Sequence, residues 1–160
     1  MAQEWNDIIS RALGEIYPEC FRQKEMFESV RLEPIQINSA LVSAQNRERL
    51  YWTNIPGVQQ PKDKIILFKD IIINADTERD KSLCIDATYY KGTTIPHYLS
   101  KHVRQLVKCG DTWRKLTPIE CERLQTLPDN YTEGVSNTQR YRCIGNGWTV
   151  DVIAHIFSFI

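Results

Sequence analysis

Apolar residues recur at helical spacing towards both ends of the chain and alternate with polar ones in between. Residues 1–14 (MAQEWNDIISRALG) place Trp5, Ile8, Ile9, Ala12 and Leu13 on one side, with Gly14 as a stop, and predict an amphipathic helix. Residues 15–32 mix polar and apolar positions and predict a second helix from Pro18 to about Val30, without identifiable chemistry. Pro34 to Asn38 alternates as a short strand, and Arg49 to Thr53 predicts another, closed by the turn signal Pro56-Gly57. Lys64 to Ile73 (KIILFKDIII) and Ser82 to Tyr90 (SLCIDATYY) predict two more strands across a polar turn. His97 to Lys108 predicts a helix with Leu99, Val103, Leu106 and Val107 inward, which aligns Lys101, Arg104 and Lys108 as an outward stripe.

The C-terminal third is the best marked. Thr117, Pro118 and Glu120 form a T-P-x-E capping box, with proline at the first helical position, where no N–H is needed. Leu116 and Cys121 fit a hydrophobic staple across that cap, and Pro128 is a stop. Gly145-Asn146-Gly147 predicts a glycine-flanked turn leading into a terminal helix from about Thr149. That helix, Val150 to Ile160, is apolar around most of its circumference and predicts burial on more than one side.

At 160 residues the chain fits one domain or a compact part of a larger one. A formal net charge of +0 gives no global field for a polyanion, so any nucleic-acid surface must be a local patch. No apolar run reaches membrane-spanning length. Cys20, Cys84, Cys109, Cys121 and Cys143 show no C-x-x-C spacing, which predicts scattered reduced thiols in an intracellular protein; with three histidines beside them, no metal site is expected.

The chemistry lies in three stretches. Gln45-x-Arg47-x-Arg49 runs into an apolar strand, where alternate side chains share a face, so the two guanidiniums point the same way. Planar, paired donors of that kind suit phosphates and base carbonyls, although a charged loop entering a strand is the plainer alternative. The second stretch is R-K-L-T-P-I-E-C-E-R-L-Q-T-L-P-D and the third is Q-R-Y-x-x-I-G-N-G-W-T-V. The stripe of Lys101, Arg104 and Lys108 reads either as a solvated helix face or as a row of phosphate contacts.

Taken in order, the three stretches resemble motifs of DNA cytosine-5 methyltransferases, over about residues 33–57 and 112–160. The resemblance implies an α/β fold: the C-terminal part of a Rossmann-like, S-adenosylmethionine-dependent methyltransferase with a short target-recognition region. It divides the chain into 1–57 as catalytic-domain residues, 58–112 as target recognition, and 113–160 as motifs returning to the catalytic domain. It implies that Arg49 contacts the O2 edge of a flipped cytosine, that Gln45 and Arg47 organise the pocket, and that Asn146, Gly147 and Trp148 form one wall of the S-adenosylmethionine site. Double-stranded DNA is the implied partner, in a restriction-modification setting. The tryptophan after Gly147 is similar to the animal de novo enzymes.

The chemistry of such enzymes needs a cysteine thiolate to attack C6 of cytosine. No cysteine here follows a proline, and neither Glu-Asn-Val nor Phe-x-Gly-x-Gly occurs. The resemblance therefore implies a C-terminal fragment or subunit, inactive alone and completed by an N-terminal methyltransferase half. A non-catalytic DNA-binding or regulatory protein derived from that fold is the alternative.

Overall fold

The computed structural model of the chain describes residues 33–160. The two helices expected within residues 1–32 lie outside the described residues. Among the described residues, two short antiparallel hairpins and four α-helices make a mixed α/β arrangement. Strand β1 (Ile35–Asn38) pairs with β2 (Glu48–Tyr51) in the register Ile35–Tyr51 to Asn38–Glu48. Both strands were legible from alternation. Helix α1 (Ile95–Lys101) follows a long irregular stretch, and then β3 (Leu106–Cys109) pairs with β4 (Thr112–Lys115). Helices α2 (Pro118–Leu124), α3 (Asn137–Asn146) and α4 (Val150–Phe157) close the chain.

Three expectations are corrected. Lys64–Ile73 and Ser82–Tyr90 are not strands: they are extended coil with 3-10 turns at Phe68–Asp70 and Tyr89–Lys91, and Ser82 makes only an isolated bridge to Gln45. Side chains in and next to the first stretch take backbone groups a strand would have used. Asp63 accepts from Ile65 N–H at 2.7 Å and Asp70 from Leu67 N–H at 3.2 Å, while Ile65 sits at φ 54° and points into solvent. The helix expected over His97–Lys108 starts two residues earlier and stops at His102, which is left-handed at φ 50°. Leu106 and Val107 are buried, but on strand β3. Lys101, Arg104 and Lys108 consequently sit on three different segments and form no common helix face.

The third correction concerns the GNG turn. Gly145 and Asn146 are the last residues of α3, a helix that starts at a Ser136–Gln139 capping box, and only Gly147 lies outside it. Neither glycine needs an unusual φ; Gly147 has φ −68°. Gly145 is needed for close approach, since an added Cβ would lie 2.2 Å from the carbonyl carbon and oxygen of Asp86. At Gly147 the nearest atom would be Cys143 O at 3.2 Å. Gly145→Ala is therefore expected to destabilise the fold by about 3 kcal/mol, since backbone blocks it. Gly147→Ala should stay within about 1 kcal/mol, and paired thermal melts of the two variants check the contrast.

One core joins Phe68, Ile85, Tyr89, Val107, Leu116, Cys121, Leu124, Tyr141 and Ile144. The Thr117 cap box forms as read, and Leu116 and Cys121 are both fully buried beside it. The helix it opens ends at Leu124, short of Pro128, where Gln125 turns inward. A second, smaller cluster sets Val152 and Ile156 of α4 on Ile37 and Val42. The other face of α4 is bare: Phe157 is 59% exposed, so only one side of this apolar helix is covered within the described residues. Among those residues, no helix is long and apolar enough to cross a membrane.

Candidate functional site

The turn before β2 holds Arg47 in an unusual position for a guanidinium. It is buried, and it donates to three backbone carbonyls: Ile85 O at 2.7 Å, Gly145 O at 3.1 Å and Gly147 O at 2.8 Å. It thereby ties the loop at Ile85 to the end of α3, and its partner Gly147 lies 100 residues beyond Arg47 in the chain. Arg49, two residues on, stays exposed; one nitrogen donates to Glu48 O at 2.7 Å and another lies 3.6 Å from Cys84 Sγ. Arg47 reaches the same sulfur at 3.3 Å, so the two guanidiniums do share a side. One is fixed inward by carbonyls and the other is free to meet a ligand.

Gln45 is fully buried and bonds Leu124 O at 2.7 Å and Gln125 Oε1 at 3.0 Å. Gln125, which sequence reasoning passed over, bonds Ile144 O at 2.8 Å and accepts from Thr149 Oγ1 at 2.8 Å. Its place directly after the last turn of a capped helix was the available signal. Helix α2 also carries two fully buried carboxylates. Arg114 grips Glu120 with two nitrogens at 2.8 Å, and Arg140 meets Glu122 at 2.9 Å. Desolvation pushes both carboxyls up, but hydrogen bonds from Arg114, Ile73 N and Thr117 N hold Glu120 below the usual range. Bonds from Thr132, Arg140 and Asn130 N do the same for Glu122.

The sides of these elements enclose an open cleft of about 820 Å³, bordered by Arg47, Arg49, Trp52, Asn146, Trp148 and Phe157. Gly147 lies one step behind it, on an adjoining apolar hollow of about 330 Å³ that shares Trp148. The Trp148 indole is 66% exposed and forms the ridge between the two. Tyr51 also faces the cleft; burial raises its phenol pKa, against the pull of Arg47 and Arg49, so it is a neutral hydroxyl at physiological pH. Trp52 Nε1 is buried and, alone among the buried side-chain polar atoms of the described residues, has no hydrogen-bond partner.

The remaining candidates fall elsewhere. Arg104 is half-buried and donates to Gly92 O at 2.9 Å and Thr88 Oγ1 at 3.1 Å, which fixes it in place. Lys101 and Lys108 are exposed, and Lys108 borders a separate groove of about 540 Å³ with Arg79, His102 and Trp113. The Cys121 thiol is pushed up by burial and by the neighbouring carboxylates, which makes it inert packing.

The model of the family C-5 cytosine-specific DNA methylase matches residues 45–160. Type II methyltransferase M.Sau3AI of Staphylococcus aureus is 52% identical over 44 residues, which is 28% of this chain and 11% of that protein. Type II methyltransferase M2.ScrFI of Lactococcus lactis subsp. cremoris is 33% identical over 107 residues, or 60% of this chain and 29% of its own length. The chain thus spans less than a third of the curated relatives it matches. In fold it is similar to the Entamoeba histolytica methyltransferase EhMeth, at a TM-score of 0.58 and 17% identity, over 85% of this chain and 56% of that one. With the match to the family model running from Gln45 to the last residue, the chain belongs to the family of C-5 cytosine-specific DNA methylases.

Proposed function

We propose that the chain is the C-terminal portion of a DNA cytosine-5 methyltransferase of Rossmann-like fold, and that it works with a half carrying the nucleophilic cysteine, on the same polypeptide or on another. The observation that carries this reading is the cleft itself. Arg49, Asn146 and Trp148, about a hundred residues apart in sequence, border one cavity, and Arg47 fastens its two sides together.

In this reading residues 1–57 and 113–160 belong to the catalytic domain and 58–112 read the target. Arg49 meets the O2 edge of the flipped cytosine, where an exposed, planar pair of donors suits a carbonyl. Gln45 and Arg47 hold the walls. Asn146, the backbone at Gly147 and the face of Trp148 receive S-adenosylmethionine, which supplies the methyl group when bound. Lys101 and Lys108 contact DNA phosphates from the surface; Arg104, fixed by its carbonyl and hydroxyl partners, shapes the recognition loop.

The bare face supports a covering half. Trp148 and Phe157 are exposed along the cleft that Trp52 also borders, and Val150 is exposed beside Trp148 on the adjoining hollow. The residues fit the cofactor on one side only, and small-molecule sites bury about 70–90% of a ligand. Calorimetry should accordingly show no saturable cofactor binding by this chain alone, and tight binding once the cysteine-bearing half is present. In that complex Trp148→Ala should weaken the cofactor about tenfold, a loss of about 1.4 kcal/mol, and leave DNA affinity within about twofold. Unchanged cofactor affinity in that variant would overturn the reading.

A further inference from the structure

The fully buried Gln125 uses every hydrogen-bonding position of its side chain, and none of them on its own helix. Nε2 donates to Ile144 O at 2.8 Å and Gly147 O at 3.3 Å. Oε1 accepts from Thr149 Oγ1 at 2.8 Å and from Gln45 Nε2 at 3.0 Å. Its backbone carbonyl accepts from Val150 N at 3.0 Å. Because the Thr149 hydroxyl gives its proton to Gln125, the Ser39 hydroxyl at 2.8 Å must donate to Thr149. Gln45, Gln125, Thr149 and Ser39 are all 0% exposed, so this network is closed to water. It joins the turn between α3 and α4 to the strand-side residue Gln45.

Only a primary amide serves both ends. A carboxylate would lack the donor for Ile144 O, and an aliphatic side chain would lack both roles. Arg47 clamps Gly147 O from the cleft side, and Gln125 clamps the same carbonyl from behind. Trp148 follows that carbonyl directly, so the orientation of its exposed indole depends on both clamps.

We propose that Gln125 is a positioning residue: it sets the Gly147–Thr149 turn against Gln45 and thereby sets the cofactor affinity of the assembled enzyme. The inference rests on the reading of Asn146, Gly147 and Trp148 as the cofactor wall. A purely stabilising hub would lower the melting temperature and leave the affinity of the folded protein alone.

Two measurements on Gln125→Leu separate these roles. In the chain itself, amide exchange followed by mass spectrometry should speed up at least tenfold across 145–150 and stay unchanged in the hairpin of β3 and β4. In the complex with the cysteine-bearing half, the cofactor Kd should rise about tenfold while the DNA Kd stays within about twofold. If Gln125→Leu does not fold, Thr149→Val removes the hydroxyl arm in the same shape and should give the same pattern more weakly. Parent-like exchange and cofactor Kd in a folded variant would overturn the inference while leaving the proposed function standing. Loss of the Trp148→Ala effect would instead bring down the reading beneath it.

Discussion

Arg47→Ala should lower the stability of the chain by about 3 kcal/mol, whereas Arg49→Ala, two residues away, should change it by less than about 0.5 kcal/mol. The difference follows from where each guanidinium ends. Arg47 is buried, and its removal strips charged donors from Ile85 O, Gly145 O and Gly147 O together. A hydrogen bond to a charged group contributes about 1.5–3 kcal/mol, and neighbouring carbonyls relax in part, so the sum falls well short of three full bonds. Lysine should not rescue position 47, because one ammonium cannot span carbonyls from two segments as a planar fork does. Arg49 gives up a bond to its neighbour's carbonyl and a long contact to sulfur, both in solvent. At roughly 2–4 °C per kcal/mol, the Arg47→Ala melt should fall by roughly 6–12 °C. Equal melts for the two variants would mean that Arg47 is not the clamp.

Glu120→Ala should cost about 3–5 kcal/mol, since it leaves the Arg114 guanidinium without its bidentate partner and frees Ile73 N and Thr117 N together. The pH dependence has a definite sign. Glu120 and Glu122 both have folded pKa values below the unfolded one, so each contributes stability above the unfolded pKa and loses it as pH falls through the folded value. The parent should therefore lose stability steeply below about pH 4.3. Glu120→Gln should show a shallower acid limb, starting from a lower plateau. Urea unfolding at a series of pH values reads both effects, and an unchanged acid limb in Glu120→Gln would show that the pair is not the source.

How much was legible in the sequence follows from how local each signal was. The Thr117 cap box needed only four neighbouring residues and formed as read. The equivalent signal at Ser136 and Gln139 was present but masked by the glycines downstream, which drew the stretch before Trp148 towards a turn. Lys64–Ile73 had the composition of a strand, yet Asp63 and Asp70 took up the N–H groups of Ile65 and Leu67, and among the described residues no strand pairs with it. The left-handed residue at His102 could not be read from periodicity, because Leu106 and Val107 suit a helix face and a buried strand equally well. The Q-x-R-x-R spacing placed both arginines on one side. It did not say that Arg47 would be consumed by carbonyls from residues 85, 145 and 147, because those contacts depend on the fold as a whole.

In the proposed function this chain supplies one side of a cytosine-5 methyltransferase site. The decisive experiment is to express the native locus, with its flanking reading frames, in a host free of cytosine methylation and to sequence the DNA after bisulfite treatment. The expected result is 5-methylcytosine at one recurring sequence, cut strongly by Arg49→Ala at unchanged protein levels, in keeping with the loss of a base contact worth about 1–3 kcal/mol and the orientation it provides. DNA without 5-methylcytosine, or a pattern that Arg49→Ala leaves intact, would contradict it.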